Sequence, residues 1–222
     1  MTEGTRSALL AGATGLVGRE LVRQIRETPH YRQLHVLLRR PVAELEGLSK
    51  VQAHQVDFEA LPALPAVDDV FIALGTTIKA AGSQEAFRRV DYDYVLAVAR
   101  AAHAAGAKRL GLVSALGADA QSRVFYNRVK GEAEQAVSAL GYESVVIAQP
   151  SLLLGDREAL GQPARRGEAV ARRVLGPLSK LIPSSVRPVA ASAVAGALIE
   201  HLLTTSPGVE RIASRFMHPK SA

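Results

Sequence analysis

Short apolar runs alternate along the chain with longer stretches whose apolar residues recur every three or four positions, and this alternation predicts repeated strand–helix units. The runs at residues 7–11, 35–38, 51–56, 67–74, 109–114 and 144–149 are predicted as six strands. Between the first two, Leu16, Val17, Leu21, Val22 and Ile25 fall on one face of a predicted helix over 16–27. A long helix is expected over 84–105, stopped by Gly106, and another over 122–140, stopped by Gly141. Pro150 ends the sixth run, and the pattern then loosens. A helix is expected over 165–175, turns at Pro183 and Pro188, and a last helix over 190–203. Internal repeats and low-complexity linkers are not visible. The expectation is an α/β protein, a doubly wound parallel sheet in one domain over 1–222, with 151–222 contributing a small substrate-side cap.

Composition narrows the class. Of 222 residues, 48% are hydrophobic and 22% charged, the balance of a soluble globular domain. With 5% aromatics and no Trp, the core must be built from Leu, Val, Ile and Ala. The absence of Cys rules out disulfides, thiolate metal sites and a cysteine nucleophile, and no metal is expected. No cleavable signal peptide is read at the N-terminus, and the apolar run 189–199 is far shorter than the ~20 residues of a membrane span. A cytoplasmic location is the expectation.

The net charge of +6 raises nucleic acid, anionic membrane and anionic cofactor as partners. The basic pairs Arg39-Arg40, Arg165-Arg166 and Arg172-Arg173 have no interleaved aromatics, which argues against nucleic acid. Around the last two pairs only Val170, Val174 and Leu175 offer an apolar side, too little for a membrane-surface helix.

The segment Gly12-Ala13-Thr14-Gly15-Leu16-Val17-Gly18 lies where the first strand turns into the first helix. Glycine permits backbone angles closed to other residues and lets main-chain N–H groups approach a pyrophosphate, while the helix N-terminus adds its positive dipole end. Gly12, Thr14, Gly15, Leu16, Val17 and Gly18 are therefore candidate cofactor contacts, in a strand–turn–helix context that marks a Rossmann fold. The bland alternative is a plain turn with incidental glycines. After the second strand, where an acidic residue would meet an NAD ribose, stand Arg39 and Arg40. Guanidinium groups there suit a 2′-phosphate, so NADP is expected, with NADPH preferred over NADH. Solvated arginines at a strand end are the competing reading. Asp57, after the third strand, either accepts from the adenine amino group or caps a short helix beginning near Phe58.

Among five tyrosines only Tyr126 has a lysine four positions on, Lys130, which places the two on one helix face. A phenol ordinarily titrates near 10, and an adjacent ammonium favours its ionised form, which suits proton transfer to or from a substrate oxygen. Ser114 ends the fifth strand twelve residues earlier, at the sheet edge where ligands gather. Together the three make a candidate catalytic set. Taken singly, Ser114 reads as a strand-end hydroxyl and Lys130 as a solvated lysine.

The chain resembles the short-chain dehydrogenase/reductase superfamily. Within it, the chain is similar to the atypical NADP-binding branch typified by the Tat-interactive protein oxidoreductases and their bacterial relatives. The likeness is carried by the glycine segment, Ala73-Leu74-Gly75-Thr76-Thr77, Val90-Asp91-Tyr92-Asp93-Tyr94-Val95 and Ser114-Ala115-Leu116-Gly117-Ala118-Asp119. It continues through Tyr126 to Glu132, Pro150-Ser151-Leu152-Leu153-Leu154 and Asp156-Arg157, almost the whole chain. The resemblance implies Tyr126 as acid/base, with Lys130 holding the nicotinamide ribose and Ser114 polarising a carbonyl. It implies that Leu74 and Gly75 line the adenosine ribose and that backbone after Pro150, near Leu152 and Leu153, positions the nicotinamide. Where many relatives carry a relay asparagine, the nearest candidate is Asp91. The short stretch after Pro150 argues against a large nucleotide-sugar substrate. The expected function is NADPH-dependent reduction of a small carbonyl or quinone-like compound, by a monomer or homodimer. The alternative is an NADP(H)-binding redox sensor acting through a protein partner.

Overall fold

The apolar runs become strands that all point the same way. The computed structural model describes residues 5–154 and 187–217. Strands β1 (Arg6–Ala11), β2 (Tyr31–Leu38), β3 (Val51–Gln55), β4 (Asp69–Ile72), β5 (Arg109–Val113), β6 (Ser144–Gln149) and β9 (Gly208–Ala213) form one parallel sheet in the order β3-β2-β1-β4-β5-β6-β9. A separate parallel pair joins β7 (Leu153–Leu154) to β8 (Val189–Ala190). This is the expected doubly wound Rossmann fold. Chain order reverses between β1 and β4, so the segments leaving Ala11 and Ile72 part company there and open a crevice at the carboxyl edge.

Helices cover both faces because each carries one apolar stripe. Helix α1 (Leu16–Glu27) buries Val17, Leu21, Val22 and Ile25. Its outer face is tied by Arg23 to Glu20 and Glu27, and it stops before Pro29, whose ring disfavours helical geometry in the residue ahead. Beside it on the same face lies α6 (Ala191–Thr204), buried through Val194, Ala195, Leu198 and Leu202. Gly111 in β5 makes room for it, since a Cβ there would sit 3.1 Å from the Leu198 side chain. The opposite face is covered by α4 (Tyr94–Ala104) and α5 (Phe125–Ser138).

At the amino edge Asp69, fully buried, receives Arg6, Arg109 and the Tyr31 hydroxyl, so one carboxylate fastens β1, β2, β4 and β5. A cavity of about 530 Å³ opens at this edge, lined in part by Arg6, Thr28, Arg109 and Ile199, on the side of the sheet away from the glycine turn.

Several expectations shift. The long helix expected over 84–105 is broken into α3 (Gln84–Arg88), a π-helical segment (Arg89–Asp93) and α4, and a short α2 (Ile78–Ala81) precedes it. β2 begins at Tyr31, and β4 is shorter than its apolar run. β9 adds a seventh strand. Within the stretch expected to form a cap, α6 and β9 belong to the main body, and among the described residues the β7–β8 pair forms a sheet of its own. The helix expected over 165–175 and the turn at Pro183 lie outside the described residues.

Candidate functional site

The glycine turn is held by contacts that no larger residue survives. Gly12 has φ +96°, and a Cβ on it would lie 2.5 Å from the Ala73 carbonyl carbon, because the strand ends of β1 and β4 touch there. A Cβ on Gly18 would fall 2.0 Å from the Gly12 carbonyl oxygen. Gly15 differs: its nearest neighbour would be the Gly12 oxygen at 3.5 Å, ordinary contact. Gly15 is the N-cap of α1, no side chain bonds that cap, and the first turn carries no acidic residue. Its N–H groups and positive dipole end remain for an anion. Thr14 is exposed beside it, Leu16 half-buried, and Val17 and Gly18 buried beneath. These residues fit a dinucleotide pyrophosphate.

Arg39 and Arg40 follow β2 at the same carboxyl edge, both exposed. Arg39 lies near enough to Tyr94 to oppose the upward pull of burial and Glu59 on its phenol. Asp57 settles one open alternative in part: its Oδ1 accepts from the Glu59 N–H at 2.9 Å, capping a turn that does not grow into a helix. Leu74 packs on the core, and Gly75 is exposed. The Pro150 carbonyl accepts from Leu116 N–H and the Leu152 carbonyl from Val189 N–H, while Leu153 pairs with Val189.

The chemistry-bearing side chains line one face of α5. Tyr126 sits in its first turn, its ring 5.4 Å from that of buried Phe87. Lys130 is one turn on and only 6% exposed. Its Nζ lies 2.7 Å from Asp91 Oδ1, and Asp91 Oδ2 accepts from the Thr76 N–H at 2.9 Å. Burial alone would pull the Lys130 ammonium down, but Asp91 first, then Tyr126 and Glu134, hold it above its ordinary value. Asp91 reaches the pair from the π-helical segment, a distortion that re-aims side chains. Gly75 leaves the space above it open, since a Cβ there would meet Asp91 Oδ1 at 3.4 Å and Lys130 Nζ at 3.6 Å. Gly131 lets the loop after β5 press on α5, since its Cβ would sit 2.1 Å from the Ala120 nitrogen.

One turn further lies Glu134, 3% exposed. It accepts from the Ser114 hydroxyl at 2.5 Å and from Gln149 Nε2, and pairs with Arg211 at 3.2 Å. Sequence reasoning passed over Glu134, Gln149 and Arg211. The signal for the first was present, because the four-residue spacing from Tyr126 to Lys130 continues to Glu134. Arg211 arrives on β9, which the pattern did not disclose.

A sequence profile described as NAD(P)H-binding matches residues 12–172. The chain belongs to this NAD(P)H-binding family. Its relatives include the protein fmp52, mitochondrial, of Emericella nidulans, 38% identical over 181 residues that span 78% of this chain and 76% of that protein. The protein HTATIP2 of Rattus norvegicus is 38% identical over 178 residues, 78% and 72% of the two chains. Among solved structures, the ADP-L-glycero-D-manno-heptose-6-epimerase of Helicobacter pylori superposes with TM-score 0.71 at 16% identity, covering 96% of this chain and 77% of that one. MoeE5 in complex with UDP-glucose and NAD gives 0.70 at 18%, covering 93% and 76%. These last two speak for the fold of the NAD(P)H-binding family alone. The cytoplasmic expectation is corrected: fungal relatives, that of Emericella nidulans and that of Eremothecium gossypii among them, are named as mitochondrial. The missing cysteines behind it do not separate one reducing compartment from another. Among the described residues no helix is long and apolar enough to cross a membrane.

Proposed function

We propose that the protein is an NADPH-dependent oxidoreductase of a small carbonyl or quinone-like compound, working through Ser114, Tyr126 and Lys130. The observation that carries this reading is the buried Lys130, paired with Asp91 and electrostatically coupled to Tyr126 on the same helix face. A redox sensor without turnover would have no use for a buried ammonium beside a phenol.

Gly12, Gly15 and Gly18 with the α1 N-terminus would hold the pyrophosphate, and Arg39 with Arg40 a 2′-phosphate. Leu74 and Gly75 would face the adenosine ribose, and the backbone around Pro150, Leu152 and Leu153 the nicotinamide. Asp57 remains a candidate for the adenine end through its unengaged oxygen. NADPH, when bound, supplies the hydride. Tyr126 moves a proton at its hydroxyl oxygen, and Lys130, charged and fixed by Asp91, steadies that oxygen as the proton leaves. Phe87 keeps the Tyr126 ring in place.

The test is calorimetric titration with NADPH and NADH in parallel, followed by turnover assays over ketones and quinones. Tight NADPH binding with cofactor oxidation supports the reading. Binding of neither nucleotide, or binding with no turnover across the series, overturns it.

A further inference from the structure

A hydroxyl has one proton and two lone pairs, and the partner that takes the proton decides what the oxygen shows to a ligand. At Ser114 that partner is Glu134 Oε1, 2.5 Å away. The carboxylate is ringed by donors: Gln149 Nε2 stands 2.9 Å from Oε1 and 3.1 Å from Oε2, and Arg211 Nε 3.2 Å from Oε2. Neither a guanidinium nor an amide nitrogen has a lone pair to offer, so this setting suits an ionised Glu134 with no proton to return. The single Ser114 proton is then committed to Glu134, and only lone pairs remain for a ligand.

A lone pair does not polarise a carbonyl; it accepts from a hydroxyl. We infer that Ser114 receives a hydroxyl on the carbon next to the reacting carbonyl, so that the substrate class is an α-hydroxy carbonyl compound, with Glu134 the positioning residue that sets this polarity. The inference rests on the reductase reading of Tyr126 and Lys130. The carbonyl oxygen takes its proton from Tyr126 while the neighbouring hydroxyl donates to Ser114 Oγ. A vicinal diketone or quinone would set oxygen lone pairs against those of Ser114, and a simple ketone would leave those lone pairs without a donor.

Replacement of Glu134 by glutamine should invert this. Arg211 can only donate, so it captures the amide oxygen and turns the amide nitrogen toward Ser114. Ser114 then accepts from residue 134, and its proton is released outward.

The probes are acetoin, butanone and diacetyl, which share one four-carbon skeleton. Each is assayed for NADPH oxidation, and for binding to the NADP⁺ complex by saturation-transfer NMR. Because diacetyl is intrinsically more electrophilic, the readout is the acetoin-to-diacetyl ratio of kcat/KM across variants, in which intrinsic reactivity cancels. Ser114→Ala should lower that ratio about tenfold, the scale of one good hydrogen bond, and Glu134→Gln should lower it further by favouring diacetyl. A ratio unchanged in Ser114→Ala overturns the inference, as does a wild type that neither binds nor turns over acetoin in preference to butanone. Should Glu134→Gln fail to fold by circular dichroism, Ser114→Ala decides alone. If nothing is turned over but acetoin binds best and loses that advantage in Ser114→Ala, the reductase reading falls, and with it the reacting carbonyl, while the contact between Ser114 and a ligand hydroxyl stands.

Discussion

Lys130 Nζ and Asp91 Oδ1 lie 2.7 Å apart with both residues out of water, and the segment that brings them together is a π-helical turn between α3 and α4. A buried ammonium keeps its charge only against such a partner. Replacing Asp91 by Ala should therefore cost roughly 3–5 kcal/mol, read as a lowered midpoint in urea. The pH dependence has a definite sign. Lys130 is raised above its ordinary value of 10.5, so the stability from the pair is fully present below that value and is lost as pH rises through the higher folded value. The wild type should lose this part of its stability as pH rises beyond 10.5, whereas Asp91→Asn should start less stable and lack that alkaline loss, because Lys130 without its partner is no longer held above its ordinary value. Identical alkaline profiles would remove the pair from the account.

Gly18 and Gly15 should separate fold from cofactor. Gly18→Ala places a methyl group 2.0 Å from the Gly12 carbonyl oxygen, and because that atom is backbone it cannot turn aside. A loss of about 3 kcal/mol or more is expected, with NADPH binding lost alongside. Gly15→Ala meets only ordinary contact at 3.5 Å and should keep stability within about 0.5 kcal/mol while weakening NADPH. Undiminished affinity in Gly15→Ala would place the pyrophosphate elsewhere.

Arg39→Ala combined with Arg40→Ala should weaken NADPH by about tenfold or more and leave NADH nearly unchanged, since charge-assisted bonds to a phosphate are worth about 1.5–3 kcal/mol each. Equal losses for both nucleotides in calorimetry would return the two arginines to solvated strand-end residues.

Tyr126→Phe removes one oxygen and keeps the ring that packs against Phe87. Tm and NADPH affinity should be unchanged, and turnover should fall by about 10²–10⁴-fold. Turnover at the wild-type rate would sink the mechanism.

His35 Nδ1 and His54 Nε2 meet at 2.9 Å across β2 and β3. Burial lowers both below the ordinary 6.5, and His54 lowers His35 further. A depressed folded value means that the unfolded chain takes up protons first, so stability present above pH 6.5 is lost as pH falls. Tm measured from pH 7.5 down to 5 should drop, and His54→Gln should flatten that drop; an equally steep profile in the variant would assign it to other groups.

Six of the seven strands in the main sheet were legible: β1, β2, β4, β5 and β6 each bury Val, Leu or Ile against helices, while β3 showed only as a short run and buries none of its residues fully. β9 was not: its six residues show the burial of an edge strand, with only Ile212 fully inside, so Glu210 and Arg211 interrupt any apolar signal. The break in the expected 84–105 helix was equally hidden, since an inserted residue in a π turn does not disturb the count of apolar positions enough to register. In the site, the same-face placement of Tyr126 and Lys130 followed from spacing alone. Their buried company did not, because Asp91 is 39 positions from Lys130 and Arg211 is 77 from Glu134, separations that only the assembled sheet closes. The helix expected over 165–175 lies outside the described residues.

The helix that opens from the glycine turn rests on a helix from far later in the chain: α1 and α6 share one core cluster, and Gln24 reaches across to the Ser192 carbonyl at 2.9 Å. During synthesis, then, the unit that carries the glycine turn emerges from the ribosome with its flank bare, and it waits through some 160 further residues for cover. Truncation a little before residue 191 would leave every glycine of the turn in place and still deprive the cradle of its outer wall. Nascent chains cut on either side of α6 should therefore differ sharply in protease resistance at α1, an early element guarded by a late one.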